Sequence, residues 1–397
     1  MNMNRVGSSK RIIKRGGSRK GRHVLAGAIG FLAVAGAIGV SAMRSSSVEA
    51  RSVAPIPAPQ TVVSLPGFGP QQNSSEVTPA PPALAALIST LGVQFGGHVG
   101  IAVRSVEEGW TASFNGNDLF PQQSVSKLWV AMTMLDAVDR GKISLQTPVT
   151  IRTQDLTLFH QPIAAMVSEA GYNTNIQSLF VRAMTQSDNT ANDSVLRSVG
   201  GSDAVRGFLA RRFISNVRFG PGERLLQSQT AGLTWSQDMA MGRTFYAARA
   251  NLPKSVREKA LNDYLANPID GAAPNAIVRA LSKLKRGEML SPSSTELLLE
   301  TMGQARTGPQ RVKGGVPAGW HYVHKTGTGQ ELAPRSTGYN DVGIMTGPDG
   351  SSYAIAVMIG ETTRPIPERW MLMQSVSRAV AGLHQASSGS SIAAASR

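Results

Sequence analysis

Strand patterns stand at both ends of the central part of this chain, and helical patterns fill the region between them. Alternating apolar residues predict strands at 99–106, 111–114, 321–325, 338–346 and 352–359. Helices are predicted at 83–91, 125–140, 176–185, 190–199, 203–212, 236–250, 255–265, 273–285, 293–304 and 367–384. This order favours a mixed α/β (α+β) fold in which one antiparallel sheet, built from both ends of the domain, has flanking helices and an all-helical subdomain.

The first 43 residues read as a membrane anchor or an export signal. Residues 1–23 hold eight of the 40 Lys and Arg residues and no acidic residue, and residues 24–43 are uncharged and apolar. Twenty helical residues span about 30 Å, the thickness of one hydrocarbon core. A basic segment before such a run predicts a cytoplasmic N-terminus and an exported bulk. We expect a periplasmic protein, either anchored in the inner membrane or secreted after cleavage of a signal peptide.

Composition divides the rest of the chain. Residues 44–82 contain eight prolines and predict an extended linker, and the Ser- and Ala-rich residues 385–397 predict a flexible tail. One folded domain is expected at about 83–384, and we predict a monomer. Because the basic excess gathers before an apolar run, the net charge of +15 does not indicate a nucleic-acid partner. The absence of Cys excludes disulfides and thiolate chemistry, and no His has metal-ligand spacing, so we predict no metal.

A Ser-x-x-Lys pattern stands at the start of the predicted helix 125–140, as Ser124 and Lys127. Residues three apart on a helix share a face, so the lysine amine can reach the serine hydroxyl and accept its proton. Backbone N–H groups at a helix N-terminus can also stabilise a developing oxyanion. The same two residues would serve equally well as a helix cap and a solvated side chain, so this pattern alone is weak.

Two further short patterns lie at element boundaries. Residues 187–189 (Ser-Asp-Asn) stand between two helices, where they could supply a proton-shuttling hydroxyl and a substrate-binding amide, or simply cap the next helix. Residues 325–327 (Lys-Thr-Gly) end a strand, where they suit a substrate carboxylate, or merely run into a flexible turn. Each match is common by chance, but all three in this order are far less so.

Together, the three patterns resemble the motif set of the class A serine β-lactamases and the penicillin-binding proteins. The resemblance covers about 83–384, and it is strongest over residues 124–150, 187–196, 290–302, 340–345 and 353–362. It implies a β-lactamase/transpeptidase-like fold and an acyl-serine mechanism without a cofactor. The implied substrate is a small-molecule β-lactam or a peptidoglycan peptide.

The resemblance assigns a role to each motif residue by its position. Ser124 would be the acylated nucleophile, and Lys127 would be its base or relay. Ser187 would protonate the leaving nitrogen, and Asn189 would hold the substrate side chain. Substrate binding carries over to Lys325, Thr326, Gly327 and Thr328. The backbone N–H groups of Ser124 and Thr328 would form the oxyanion hole.

Glu223 decides between the two kinds of enzyme. It lies 36 residues after Ser187, which suits the class A glutamate that directs the deacylating water. Four residues later, where the family has Asn, this chain has Gln227, which we assign to the substrate-binding set. The usual arginine before the glutamate is absent, the loop looks short, and no acidic partner is evident for the salt bridge that normally pins it. Glu223 could therefore be an exposed turn carboxylate.

Two departures concern the rim of the site. Arg335 follows Lys325 by ten residues and could supply an additional carboxylate-binding guanidinium. Residues 251–280 have no counterpart in compact class A enzymes, and we expect them to extend the helical subdomain and alter the mouth of the site.

The leading interpretation is a class A-type serine β-lactamase that opens β-lactam rings through an acyl-Ser124 intermediate. The alternative is a penicillin-binding D,D-peptidase-like enzyme that acts on peptidoglycan peptides and deacylates β-lactams slowly. A catalytically idle cell-wall-binding module is a third reading, against which the complete motif set argues.

Overall fold

The longest strands of the domain come from its two ends and meet in one sheet. The computed structural model describes residues 78–395, with side chains up to residue 386. The predictions for 1–23, 24–43 and all but the end of the 44–82 linker lie outside the described residues. In the part that is described, no helix is both long enough and apolar enough to cross a bilayer.

The secondary structure follows the predicted order of strands, helices and strands. The strands are β1 His98–Ser105, β2 Thr111–Phe114, β3 Phe120–Pro121, β4 Pro148–Ile151, β5 Tyr172–Asn175, β6 Gly271–Ala272, β7 His321–Gly327, β8 Glu331–Leu332, β9 Arg335–Thr346 and β10 Ser352–Thr362. The α-helices are α1 Pro82–Phe95, α2 Lys127–Asp139, α3 Ile176–Thr185, α4 Asn189–Ser198, α5 Gly201–Arg211, α6 Glu223–Thr230, α7 Thr244–Asn251, α8 Lys254–Ala266, α9 Pro274–Lys285, α10 Pro292–Gly303 and α11 Ile366–Ala395.

The main sheet has the strand order β2-β1-β10-β9-β7, with β8 beside β9. All of its pairs are antiparallel. A short turn joins β1 to its antiparallel partner β2, and β1 pairs on its other side with β10, which is the last strand along the chain. The predicted fold class, with one antiparallel sheet completed by both ends of the domain, is therefore confirmed.

Both faces of the sheet are covered. Ile101 and Val103 of β1 pack in a cluster with residues of α1 and α11, whereas Ala102 between them packs with residues of α2, α9 and α10. Successive side chains of a strand point to opposite faces, so these neighbours belong to two separate layers. The sheet is thereby fixed on both sides, and the ends of its strands can hold side chains at defined positions.

The helix after the Ser-x-x-Lys pattern, α2, runs through the middle of the helical layer. Its residues from Lys127 to Ala137 are all buried. A helix that is surrounded on every side is held by packing and not by one apolar face. Near the C-terminal end of α2, the buried Asp136 carboxylate forms ion pairs with three arginines. The distances from its oxygens to Nη2 of Arg140, Arg211 and Arg212 are 2.7, 3.0 and 2.9 Å. These contacts neutralise a carboxylate that would otherwise be costly to bury.

The helix predicted at 236–250 is wrong as a single element. The structure has a short 3₁₀ turn at Gln237–Ala240, and α7 begins only at Thr244. Gly242 lies between them with φ +62°, a left-handed conformation that an α-helix cannot contain. The sequence analysis also missed α6, which begins at Glu223.

The limits of two other segments also differ from prediction. The segment 251–280 was expected to be a single extension, but its last residues begin α9, where Ala276 and Ile277 belong to the main core. Only the part up to β6 stands apart from that core. The residues predicted as a flexible tail are helical as far as Ala395, where α11 ends. This segment contains no proline and is rich in alanine, the best helix former.

We predict that Leu135→Ala lowers the free energy of unfolding by about 2–5 kcal/mol, since it opens a cavity at a fully buried position of α2. Leu87→Ala on α1, where the side chain is 43% exposed, is the control and should cost less than about 1 kcal/mol. Urea denaturation of both variants measures the difference. Equal losses would mean that α2 is not the packed centre of its layer.

Candidate active site

Ser124 lies in a short 3₁₀ turn, Gln123–Ser126, that leads directly into α2. Lys127 Nζ donates to Ser124 Oγ at 2.9 Å, so the contact expected from their spacing is present. The Lys127 side chain is fully buried, and its ammonium also donates to Asn189 Oδ1 at 2.9 Å. A buried ammonium needs an acceptor for each N–H, and the start of α4 supplies one of them.

The third acceptor for Lys127 is Oε1 of Glu223, the first residue of α6. Glu223 is only 3% exposed, so the alternative of an exposed turn carboxylate is wrong. Its backbone N–H donates to Asp193 Oδ1 at 3.0 Å, and Gly222 before it takes φ +99°, which favours glycine. A carboxylate on α4 thus anchors the start of α6, a partner that sequence reasoning did not find.

Gln227 lies one helical turn after Glu223 and fixes its free oxygen. The Gln227 Nε2 group donates to Glu223 Oε2 at 3.3 Å and to Gln123 Oε1 at 3.1 Å. Gln330 Nε2 donates in turn to the Gln227 side-chain oxygen at 3.2 Å and to its backbone carbonyl at 2.7 Å. Both N–H groups of the Gln227 amide have protein acceptors. The amide predicted for substrate binding therefore orients Glu223.

The Ser-Asp-Asn segment is a strained turn between α3 and α4. Ser187 has φ +61°, an uncommon conformation for a residue with a side chain. The next residue, Asp188, holds this turn, because its carboxylate accepts from Ala191 N at 2.9 Å and from Ile163 N at 2.7 Å. The helix-capping role considered for this segment is present, and the same cap presents Ser187 to the cleft.

Lys325, near the end of β7, acts on the site through Ser187. Its Nζ donates to Ser187 Oγ at 2.9 Å and to the carbonyl of Thr326 at 3.0 Å. Burial, followed by the charge of Lys127, lowers the pKa of Lys325 well below its usual value. Burial therefore favours the uncharged amine and makes the ammonium a stronger acid than that of an exposed lysine. Lys325 is fully buried and does not line the cleft, in contrast to its predicted contact with a carboxylate.

The positive group that does line the cleft is Arg311, which sequence reasoning missed. Its guanidinium donates to Thr328 Oγ1 at 2.6 Å and to the carbonyl of Gly327 at 2.8 Å, and it lies 3.8 Å from the ring centre of Tyr339. Burial lowers the pKa of this guanidinium below its usual value. With Thr326 and Thr328 beside it, this guanidinium forms a site for a carboxylate.

Arg335 is not at this site, so its predicted role is corrected here. It does not line the cleft; its guanidinium pairs with Glu361 and donates to Asn262 Oδ1 at 2.9 Å. The prediction for Gly327 also changes. A Cβ there would lie 2.4 Å from the carbonyl of Gln122, so this glycine lets β7 approach the backbone just before the nucleophile. The absence of a side chain at Gly327 therefore allows two segments of the protein itself to pack closely.

Ser124, Ser187 and Arg311 face one cleft with a volume of about 350 Å³. It is lined by Ser124, Phe159, His160, Ser187, Asn189, Gln227, Thr307, Arg311, Thr326, Thr328, Gly329 and Gln330. The two residues assigned to the oxyanion hole, Ser124 and Thr328, are both in this lining. Across residues 78–395, no three His, Asp or Glu side chains are arranged to bind a metal ion.

The arrangement contains two separate Ser–Lys pairs, Ser124 with Lys127 and Ser187 with Lys325, and each pair can carry protons. Ser124 contacts one lysine that is paired with a carboxylate, and Ser187 contacts a second lysine that is not. Arg311 lines the same cleft as the two serines and supplies a positive group suited to a carboxylate. This is the equipment that acyl transfer to serine followed by hydrolysis requires.

The comparisons with known proteins agree with this chemistry. A family model described as the beta-lactamase enzyme family matches residues 83–383. The extended-spectrum beta-lactamase PER-1 of Pseudomonas aeruginosa is 28% identical over 291 residues, which cover 73% of this chain and 83% of that protein. Beta-lactamase VEB-1 of the same organism is 26% identical over 66% of this chain and 78% of its own. The crystal structure of a beta-lactamase from Chitinophaga pinensis DSM 2588 matches with a TM-score of 0.62 and 28% identity, over 75% of this chain and 97% of that one.

Asp193, which anchors the start of α6, makes the free energy of unfolding depend on pH. Burial and the neighbouring charge of Glu223 raise the pKa of Asp193 from 3.8 to about 6. The folded protein therefore holds this proton between about pH 4 and 6, where the unfolded chain releases it. The resulting stabilisation is complete below the unfolded pKa and is lost as the pH rises through the folded one.

We predict that Asp193→Asn raises the free energy of unfolding by about 2–3 kcal/mol above pH 6, because Asn accepts the Glu223 N–H bond without a buried charge. Below about pH 3, where aspartate is protonated in both states, the variant and the native protein should unfold alike. Denaturation at a series of pH values measures both. A variant that is less stable at every pH would contradict this account.

Proposed function

The chain belongs to the beta-lactamase enzyme family, and from this premise we propose that it is a class A-type serine β-lactamase that hydrolyses the β-lactam ring. The observation that carries the proposal is the buried Glu223 carboxylate, which contacts Lys127 Nζ beside Ser124. Such a carboxylate lies where it can activate a water molecule against an acyl-Ser124 ester. The names of the relatives support the same substrate class.

Acylation begins at the Ser124 hydroxyl. Lys127, as the amine, accepts the hydroxyl proton, and Glu223 takes up the proton that the ammonium must first give away. Ser124 Oγ then attacks the lactam carbonyl, and the resulting oxyanion receives hydrogen bonds from the backbone N–H groups of Ser124 and Thr328. Arg311 and the two threonines beside it hold the substrate carboxylate meanwhile.

The lactam C–N bond breaks when the nitrogen receives a proton. Ser187 Oγ supplies it, and Lys325 replaces the proton on Ser187 from its own ammonium. The lowered pKa of Lys325 favours this direction of transfer. The product of this step is an ester between the ring-opened substrate and Ser124.

Deacylation uses the opposite side of the site. The Glu223 carboxyl first releases to solvent the proton that it took up during acylation, and Lys325 regains a proton from solvent. The Glu223 carboxylate then removes a proton from water, and the hydroxide attacks the ester carbonyl. The C–O bond to Ser124 breaks, and the serine oxygen regains a proton from Lys127. The Gln227 amide fixes Glu223 Oε2 for this work. A D,D-peptidase acting on peptidoglycan peptides could use the same acylation, but it has no need of a buried carboxylate at this place.

The proposal includes export. The basic residues 1–23 and the apolar run 24–43 support a periplasmic location, anchored in the inner membrane or released by cleavage. We propose that the enzyme acts there as a monomer on small β-lactam molecules.

We predict that Glu223→Gln slows deacylation far more than acylation, so that a covalent adduct with a penicillin accumulates while turnover falls by about 100-fold or more. Hydrolysis followed by absorbance and intact-protein mass measure both quantities on one sample. Glu296→Gln, which alters an exposed carboxylate on α10, is the control. A stable adduct in the native protein would instead support the penicillin-binding alternative, and no adduct with no turnover would refute both enzymes.

We predict that Arg311→Gln lowers kcat/KM for a carboxylate-bearing penicillin by about 10- to 100-fold, mainly through KM, because a charge-assisted hydrogen bond is lost. Arg335→Gln is the matched control, since Arg335 pairs with Glu361 outside the cleft, and it should stay within about twofold. Steady-state kinetics of both variants test the assignment. A larger effect at Arg335 would restore the role that its place in the sequence had suggested.

A further inference from the structure

A tyrosine from the segment 251–280 reaches the buried side of the site. Tyr264 lies on α8 and is 7% exposed. Its hydroxyl accepts a hydrogen bond from Gln123 Nε2 at 2.7 Å and donates one to Asp270 Oδ1 at 2.9 Å. Burial raises the pKa of this phenol well above 10, so it keeps its proton and remains a donor. The proposed acylation and hydrolysis steps make no use of it.

Gln123, which Tyr264 contacts, is the residue immediately before the nucleophile. It has φ +53°, a conformation that persists only where the surroundings hold it. The other oxygen of Asp270, Oδ2, accepts from the Gln123 backbone N–H at 2.9 Å. Tyr264 and Asp270 therefore fix both the side chain and the backbone of Gln123.

The side chain of Gln123 continues the connection to Glu223. Its Oε1 accepts from Gln227 Nε2 at 3.1 Å, and the same Nε2 donates to Glu223 Oε2 at 3.3 Å. All of these side chains are buried. An uninterrupted chain of hydrogen bonds thus runs from α8 through two amides to the carboxylate that the proposed deacylation uses.

In this series of hydrogen bonds, each group has a fixed role as donor or acceptor. The Tyr264 hydroxyl donates its one hydrogen bond to Asp270, so toward Gln123 it can only accept. The Gln123 amide must then point its nitrogen at the tyrosine and its oxygen at Gln227. This orientation leaves Gln227 as the donor toward Glu223. Without the hydroxyl, the Gln123 nitrogen loses its acceptor, and the bond from Gln227 Nε2 is left to hold the Gln123 amide in this orientation.

We propose that Tyr264 is a positioning residue for deacylation, which sets the polarity of the Gln123–Gln227 amide pair and so the orientation of the Glu223 carboxylate. The proposal rests on the β-lactamase function proposed above. It makes α8 part of the catalytic apparatus, although this helix belongs to a segment without a counterpart in compact class A enzymes.

The test is Tyr264→Phe in the full chain, with Tyr353→Phe as the matched control. Tyr353 is 6% exposed, and its hydroxyl bonds to His384 on the other face of the sheet, so its loss reports the general effect of removing a buried hydroxyl. With a penicillin, Tyr264→Phe should prolong the lifetime of the acyl-enzyme about 10- to 100-fold, as intact-protein mass measures. Because acylation is spared, kcat and KM should fall together and kcat/KM should stay within about threefold. Tyr353→Phe should change neither.

Other outcomes overturn the inference without touching the proposed function. If Tyr264→Phe keeps the native acyl-enzyme lifetime, or loses kcat/KM as strongly as kcat, Tyr264 does not position Glu223. If Tyr264→Phe fails to fold, Gln123→Leu carries the test, since it cuts the amide pair but leaves the bond from Tyr264 to Asp270. An unchanged lifetime in Gln123→Leu overturns the proposal. A native protein that neither forms an adduct nor hydrolyses penicillin refutes the proposed function itself.

Discussion

The buried ammonium of Lys127 is the point on which the rest of the site depends. It has no access to water, so its N–H groups must be satisfied by Ser124, Asn189 and Glu223. These acceptors come from the turn before α2, from α4 and from α6. A charge of this kind is tolerated only where several elements converge on it. The need to satisfy one lysine thus also assembles the nucleophile and the carboxylate.

Much of this site was predictable from the sequence because its parts are local. Ser124 and Lys127 stand three residues apart on one element, and helix geometry alone brings them together. The Ser-Asp-Asn cap is local in the same way. The order of strands and helices also fixed the antiparallel sheet, because the patterns at both ends were long and regular.

The remainder depended on contacts between distant parts of the chain. Arg311 lies in an irregular turn before β7, and no spacing links it to Thr328, whereas Arg335 stood at a suggestive distance and faces Glu361 instead. Asp193 and Asp270 act by accepting backbone N–H groups, from Glu223 and Gln123 respectively. Such bonds leave no residue pattern at the donor. The segment 251–280 was expected to alter the mouth of the site, and only its packing reveals that Tyr264 contacts Gln123, the residue before the nucleophile.

The closing of the main sheet has a consequence for how this domain is made. Val99 of β1 is paired with Ile359 of β10, and Leu84 of α1 packs in one cluster with Val376 of α11. Because synthesis begins at the N-terminus, nearly the whole domain must therefore be made before β1 can pair with β10. Contacts of such sequence separation form late and slowly. During synthesis, β1 and β2 can pair at once, but β1 lacks its central neighbour β10, and the sheet stays incomplete, until residues 352–362 have been made.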